Sequence, residues 1–155
     1  SLICLLAIVS IAAADNLPDK FFGSFEHDRS ENFDEYMEEM GYGWFTRKLV
    51  RLASVTKVFT KTGTNTFNFD NLTTKKNLKY RDITLGKEFI GESLDGSDHK
   101  ITFYMKGNTL YEKHIPTDSD ATQKADEYRF HFDGEELVQT LEYNGVVAKR
   151  YFERV

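Results

Sequence analysis

The chain has 155 residues, of which 40% are hydrophobic and 29% charged, with a formal net charge of -5. That length fits one domain with a sizeable core, and the acidic balance excludes the basic surface that a nucleic-acid partner requires. Phe 13 and Tyr 8 against Pro 2 favour strands and leave no long proline-rich linker.

Residues 1–14 read SLICLLAIVSIAAA, an apolar run ending in small residues. Ala12-Ala13-Ala14 fits the small-residue cleavage pattern of a secretory signal, and the run is too short to span a bilayer comfortably. It carries neither an initiating Met nor a basic start, as expected of a partial signal peptide. A buried N-terminal strand is the competing reading. Cleavage after Ala14 would leave a single domain over residues 15–155. Cys4 is the only cysteine, so this mature chain would rely on its core rather than on disulfides. Asn71-Leu72-Thr73 is a glycosylation triplet, a weak further sign of export because such triplets arise by chance.

Phe22-Gly23-Ser24-Phe25-Glu26 reads as a short strand. Ser30 or Asn32 can then cap a helix in which Phe33, Tyr36, Met37 and Met40 recur at helical spacing and Gly41 ends the run. A second helix is predicted over residues 44–53, with Arg47, Lys48 and Arg51 among its apolar residues. From Val55 onward the period changes to two, and turn residues recur about every ten positions. Asn144-Gly145 is a strong two-residue hairpin signal between two alternating segments. The longest predicted loop covers residues 116–124. The sum is about ten short strands, with two helices after the first, and points to a sandwich or an up-and-down barrel whose open end the helices cap.

Catalytic patterns are missing. His27, His99, His114 and His131 have no metal-ligand spacing and read as surface or strand histidines. Gly91-Glu92-Ser93-Leu94-Asp95 lacks the second glycine of a nucleophile elbow. A calcium loop starting at Asp118 would need Gly at Gln123 and Glu at Arg129. Glu38-Glu39 reads as a solvated helix face. With no nucleophile–base pair, no metal set and no glycine-rich phosphate cradle, neither an enzyme nor a cofactor is expected. On the last strand Ala148, Arg150 and Phe152 share a face. If that face is inner, Arg150 is a buried cation that a carboxylate would answer with a charge-assisted pair. Parity equally allows Arg150 outside and Tyr151 inside.

Phe22-Gly23-x-Phe25, Glu31-Asn32-Phe33-Asp34-x-Tyr36-Met37, Gly41-x-Gly43 and Thr46-Arg47-Lys48 resemble the opening of the fatty-acid-binding proteins. Leu85-Gly86-x-Glu88-Phe89 resembles that family's middle hairpin, and Gly145-Val146 with Arg150-Tyr151-Phe152-Glu153-Arg154 its last strand. The match runs in register over residues 17–155. The apolar leader, Asn71-Leu72-Thr73-Thr74-Lys75-Lys76 and the long 116–124 loop are similar to the secreted nematode branch.

The resemblance implies an all-β fold, a ten-stranded antiparallel up-and-down barrel (a β-clam) with a helix-turn-helix lid after the first strand. It implies a secreted, extracellular carrier of one long-chain fatty acid. A retinoid or other hydrophobic ligand, or a filled structural barrel, is the alternative. The family's carboxylate motif is Arg-x-Tyr on the last strand. Arg150 falls on its arginine, whereas Phe152 stands at the tyrosine. The family's second arginine falls on Phe130, with Arg129 one residue away, where a bulge would turn it inward. Phe33, Tyr36, Met37, Leu141 and Tyr143 are expected along the ligand tail and portal. Arg47, Lys48 and Arg51 either meet anionic membrane lipids during delivery or form a solvated helix face. A monomer is the default expectation.

Overall fold

The computed structural model describes residues 16–118 and 124–155. The apolar leader over residues 1–14, and the central part of the 116–124 loop, lie outside the described residues. A 3₁₀ turn at Asp19–Phe21 leads into β1 (Gly23–Glu31). Two helices follow, α1 (Phe33–Glu39) and α2 (Trp44–Leu52). Nine strands complete the chain: β2 (Val55–Lys61), β3 (Phe67–Thr73), β4 (Asn77–Ile83), β5 (Phe89–Glu92), β6 (Asp98–Lys106), β7 (Thr109–Pro116), β8 (Asp126–Asp133), β9 (Glu136–Tyr143) and β10 (Val146–Arg154).

All ten strands form one antiparallel sheet in the order β4-β3-β2-β1-β10-β9-β8-β7-β6-β5. The first and last strands therefore pair, and most turns are hairpins. Asn144 and Gly145 both adopt positive φ (49° and 80°), the left-handed geometry of the tight turn their sequence predicts. β1 is longer than the sequence reading: Ser30 and Glu31 stay in the strand because they pair with Arg150 and Lys149. Asn32, in the left-handed region, marks the change to helix, and α1 begins at Phe33 rather than at a serine cap.

One expected hairpin does not form. The segment around Leu85-Gly86-Lys87-Glu88 joins β4 to β5, but these strands are the two ends of the sheet and share no ladder. The barrel is thus nearly closed, and side chains bridge the seam. Tyr80 donates its hydroxyl to the Glu92 carbonyl at 2.7 Å, and Lys76 pairs with the Glu92 carboxylate. Gly91 leaves room for this crossing, because a Cβ there would lie 2.8 Å from the Tyr80 ring and 2.7 Å from Ile101.

The barrel has two unlike halves. In one, Phe21, Phe25, Phe59, Phe67, Phe69, Phe103 and Phe130 are fully buried in a continuous aromatic core. Phe59 sits at its centre, with ring centroids 4.9 Å from Phe69, 6.0 Å from Phe21 and 6.2 Å from Phe130. In the other, the helices roof an open space. α1 holds the roof down through Tyr36, Met37 and Met40, which pack with Leu141 and Ala148 of β9 and β10. α2 has no buried residue. It is tethered through Asp34, which accepts from Arg47 Nε at 3.3 Å and Arg51 at 2.7 Å, while Arg47 also donates to the Tyr42 carbonyl at 2.7 Å.

Candidate functional site

A cavity of about 470 Å³ lies beneath the two helices, within the range of roughly 300–1,000 Å³ typical of small-molecule sites. Alternation along the strands aims its lining inward. β2 presents Val55 and Lys57, β3 Phe69 and Asn71, β7 Glu112 and His114, β9 Gln139 and Leu141, and β10 Arg150. The helices close the space with Phe33, Tyr36, Met37, Thr46 and Val50. Its walls are mainly apolar, with a few polar groups converging between them.

Arg150 resolves the parity question. It faces inward on β10 and is only 8% exposed. Its Nε donates to Ser30 Oγ at 3.2 Å, and its guanidinium lies over the Phe33 ring at 4.2 Å. A bulge in β1 between His27 and Arg29 brings Ser30 opposite Arg150. Among the described residues no carboxylate pairs with this guanidinium, and burial pulls its pKa down to about 10. A cation so placed lacks the anion that would offset its desolvation.

The other sequence candidates separate. Phe33, Tyr36, Met37 and Leu141 line the cavity. Phe152 is fully buried but belongs to the aromatic core below, edge-on to His27 at 5.6 Å. Tyr143 packs beside the α1 contact, with the Lys124 ammonium 4.8 Å from its ring, and does not line the space. Arg129 is not a cavity residue. β8 runs without a register shift, so Phe130 points inward and Arg129 outward, where it pairs with Glu142 at 3.0 Å. Tyr151 lies on the outer face beneath the Arg29 guanidinium at 3.9 Å.

Asn71 also differs from its sequence reading. It is mid-strand and turned into the cavity, where its Oδ1 accepts from Lys57 Nζ at 3.0 Å. On α2, Arg47 and Arg51 are tied to Asp34, whereas Lys48 lies over the exposed Trp44 ring at 5.4 Å.

Several polar residues escaped the sequence reading. Lys57 is a buried cation, 4% exposed. His99 on β6 and His114 on β7 are strand histidines, and both are buried. Their Nδ1 atoms lie 3.0 Å apart, His114 Nε2 pairs with the buried Glu112 carboxylate, and His99 Nε2 has no hydrogen-bond partner among the described residues. One of the facing Nδ1 atoms must carry the proton and the other accept it. Burial, then the neighbouring His114, lowers the His99 pKa. Tyr36 donates to Asp126 nearby, and burial raises the Asp126 pKa despite that bond. Parity was the signal that could have found these groups. Val55-x-Lys57-x-Phe59 and Leu110-x-Glu112-x-His114 each alternate with core residues.

Comparison with known proteins gives consistent matches. The chain is 48% identical over 152 residues to fatty acid-binding protein homolog 1 of Caenorhabditis elegans, covering 97% of this chain and 95% of that one. It is 41% identical over 157 residues to the fatty acid-binding protein homolog of Ascaris suum, covering 99% and 95%. Among solved structures, As-p18, an extracellular fatty acid binding protein, superposes with a TM-score of 0.86 at 42% identity over 91% of this chain and all of that one. No family model matches the chain.

Proposed function

The chain belongs to the fatty-acid-binding protein family, and from that premise we propose that it is a carrier holding one long-chain fatty acid beneath the helical roof, with the acid's carboxylate at Arg150. The observation that carries this reading is the buried guanidinium, with no carboxylate partner among the described residues, in the wall of a mainly apolar cavity. Burying the acyl chain supplies most of the affinity, at about 0.8 kcal/mol per methylene. A long chain gains on the order of 10 kcal/mol before ordering costs. The charge pair at Arg150 mainly sets orientation, with the carboxylate at β10 and the tail along the apolar walls of the cavity.

The carrier works outside the cell in this reading. Its support is the apolar leader at residues 1–14, with 15–155 as the mature monomeric domain, and the likeness to an extracellular relative. Exchange passes the roof, which α2 closes without burying a residue of its own. Trp44 and Phe45, 64% and 65% exposed, stand there with Lys48 and fit a transient contact with anionic lipid. Arg47 and Arg51 serve the roof's tether instead.

Displacement of a fluorescent fatty-acid probe tests the reading. Oleate should displace the probe at one site per chain, and the Arg150→Met protein should hold oleate about tenfold or more weakly. No displacement by any long-chain acid would refute it. Solvent extraction and mass spectrometry of protein from its own source should yield fatty acids; recovery of a retinoid alone would favour the alternative ligand.

A further inference from the structure

The cavity contains a second cation that the family's arginine motif does not account for. Lys57 enters from β2 and its ammonium reaches the middle of the barrel, 5.3 Å from the Phe152 ring, 5.6 Å from Phe69 and 5.6 Å from Phe130. Those rings belong to three different strands. An ammonium has three donors, yet among the described residues the one hydrogen bond Lys57 makes is to Asn71 Oδ1. Weak attraction to aromatic faces offsets only part of the cost of burying such a charge.

The carboxylates of the interior are engaged elsewhere. Glu112 is paired with His114, and Asp126 with Tyr36. Among the described residues neither forms an ion pair with Lys57 or Arg150. Across from Lys57, Gln139 of β9 adds an amide beside Arg150, its register partner on β10. Two buried cations and two amides thus line one cavity, where the carboxylate that acts on Lys57, Glu112, is itself paired with His114.

We propose that Lys57 is the second cation of the headgroup site and makes the cavity selective for an ionised carboxylate over an alcohol or ester of the same chain. This rests on the fatty-acid reading above. The acid then sits between β2 and β10, from opposite sides of β1, and no residue of β8 is needed to hold it. The groups that titrate around Lys57 are Glu112 with its partner His114 on β7, and Arg150 on β10. Burial, opposed by Glu112 and assisted by Arg150, lowers the Lys57 pKa to about 8. A bound carboxylate reverses that shift, so binding above about pH 8 takes up a proton.

Calorimetric titration of the whole chain with oleate, oleyl alcohol and methyl oleate tests this. The parent protein should prefer oleate, and Lys57→Met should weaken oleate about tenfold or more while changing the alcohol less than about twofold. Lys57→Arg should restore the preference. Oleate affinity of the parent should be level up to about pH 8 and decline above it, with proton uptake visible as a buffer-dependent heat at pH 9. The Lys57→Met protein should show neither effect. Should that variant not fold, Lys57→Gln, which keeps a polar end, carries the same expectations. An unchanged preference in the variant, or equal losses for acid and alcohol, would overturn the role of Lys57 while leaving the fatty-acid reading intact. A parent protein that does not bind oleate would overturn both.

Discussion

The aromatic half and the roofed half of this barrel are built from the same strands, yet they obey opposite packing rules. Below, Phe59 and its neighbours fill the interior with rings in edge and tilted contact, and the cluster is almost wholly apolar side chain, the Tyr80 hydroxyl pointing out to the seam. Above, the same strands direct Lys57, Asn71, Glu112, His114, Gln139 and Arg150 into open space. A single face of a strand can change from one regime to the other within two residues, as Phe152 to Arg150 or Phe59 to Lys57 illustrates. The lesson is a division of labour. Closely packed rings stabilise the fold, and their stability lets the other half keep a hollow and two buried cations that form no ion pair among the described residues.

The widest separation between the halves comes from removing a ring. Phe59→Ala should cost roughly 3–5 kcal/mol in urea unfolding, because the neighbouring rings are fixed and cannot fill the hole. Arg150→Met should act in the opposite sense. It should weaken oleate by about 1.5–3 kcal/mol, yet raise the unfolding midpoint of the ligand-free protein, since an unpaired buried charge is replaced by an apolar chain of similar reach. If both substitutions lowered stability equally, the two halves would not be distinct.

Acid sharpens the contrast at the border between them. Burial against Phe152, and then the charge of Arg150, lower the His27 pKa from 6.5 to about 4. The unfolded chain therefore binds this proton first. Stability contributed here is complete above about pH 6.5 and is lost as the pH falls toward 4. His99 is shifted in the same direction, while the raised Asp126 acts in the opposite sense at its own titration. His27→Gln should flatten part of the decline in urea midpoint between pH 6.5 and 4, and an unchanged decline would exclude His27 as a source. The smallest effect is expected at the roof's outer surface. Trp44→Ala should alter stability by no more than about 0.5 kcal/mol, while slowing transfer of a fluorescent fatty acid to anionic vesicles.

Much of the fold was legible because it rests on local signals. The period-two pattern, Asn144-Gly145 and the helical spacing of Phe33, Tyr36, Met37 and Met40 each mark an element at its place. The seam between β4 and β5 was not legible, because Leu85-Gly86 signals a turn whether or not the flanking strands pair. The inward placement of Arg150 was legible through the family motif, since parity alone left its face open. Arg129 was misplaced because an inserted bulge and an unbroken strand read alike in one sequence, and only the Phe130–Gln139 register separates them. Lys57, Glu112 and His114 were overlooked for a physical reason: a charged side chain in an alternating strand ordinarily marks the solvent face. Here the alternation is kept, and it is polarity that departs from expectation. The same inversion hid Asn71, which the sequence offered only as part of a glycosylation triplet.

Carbon-13 NMR of carboxyl-labelled oleate bound to the protein addresses the headgroup directly. With the carboxylate held at Arg150, one bound resonance should appear, and it should stay in its ionised position as the pH is lowered through the range where a free fatty acid titrates. A bound signal that titrates like an exposed carboxyl, and does so equally in the parent and Arg150→Met proteins, would contradict the account.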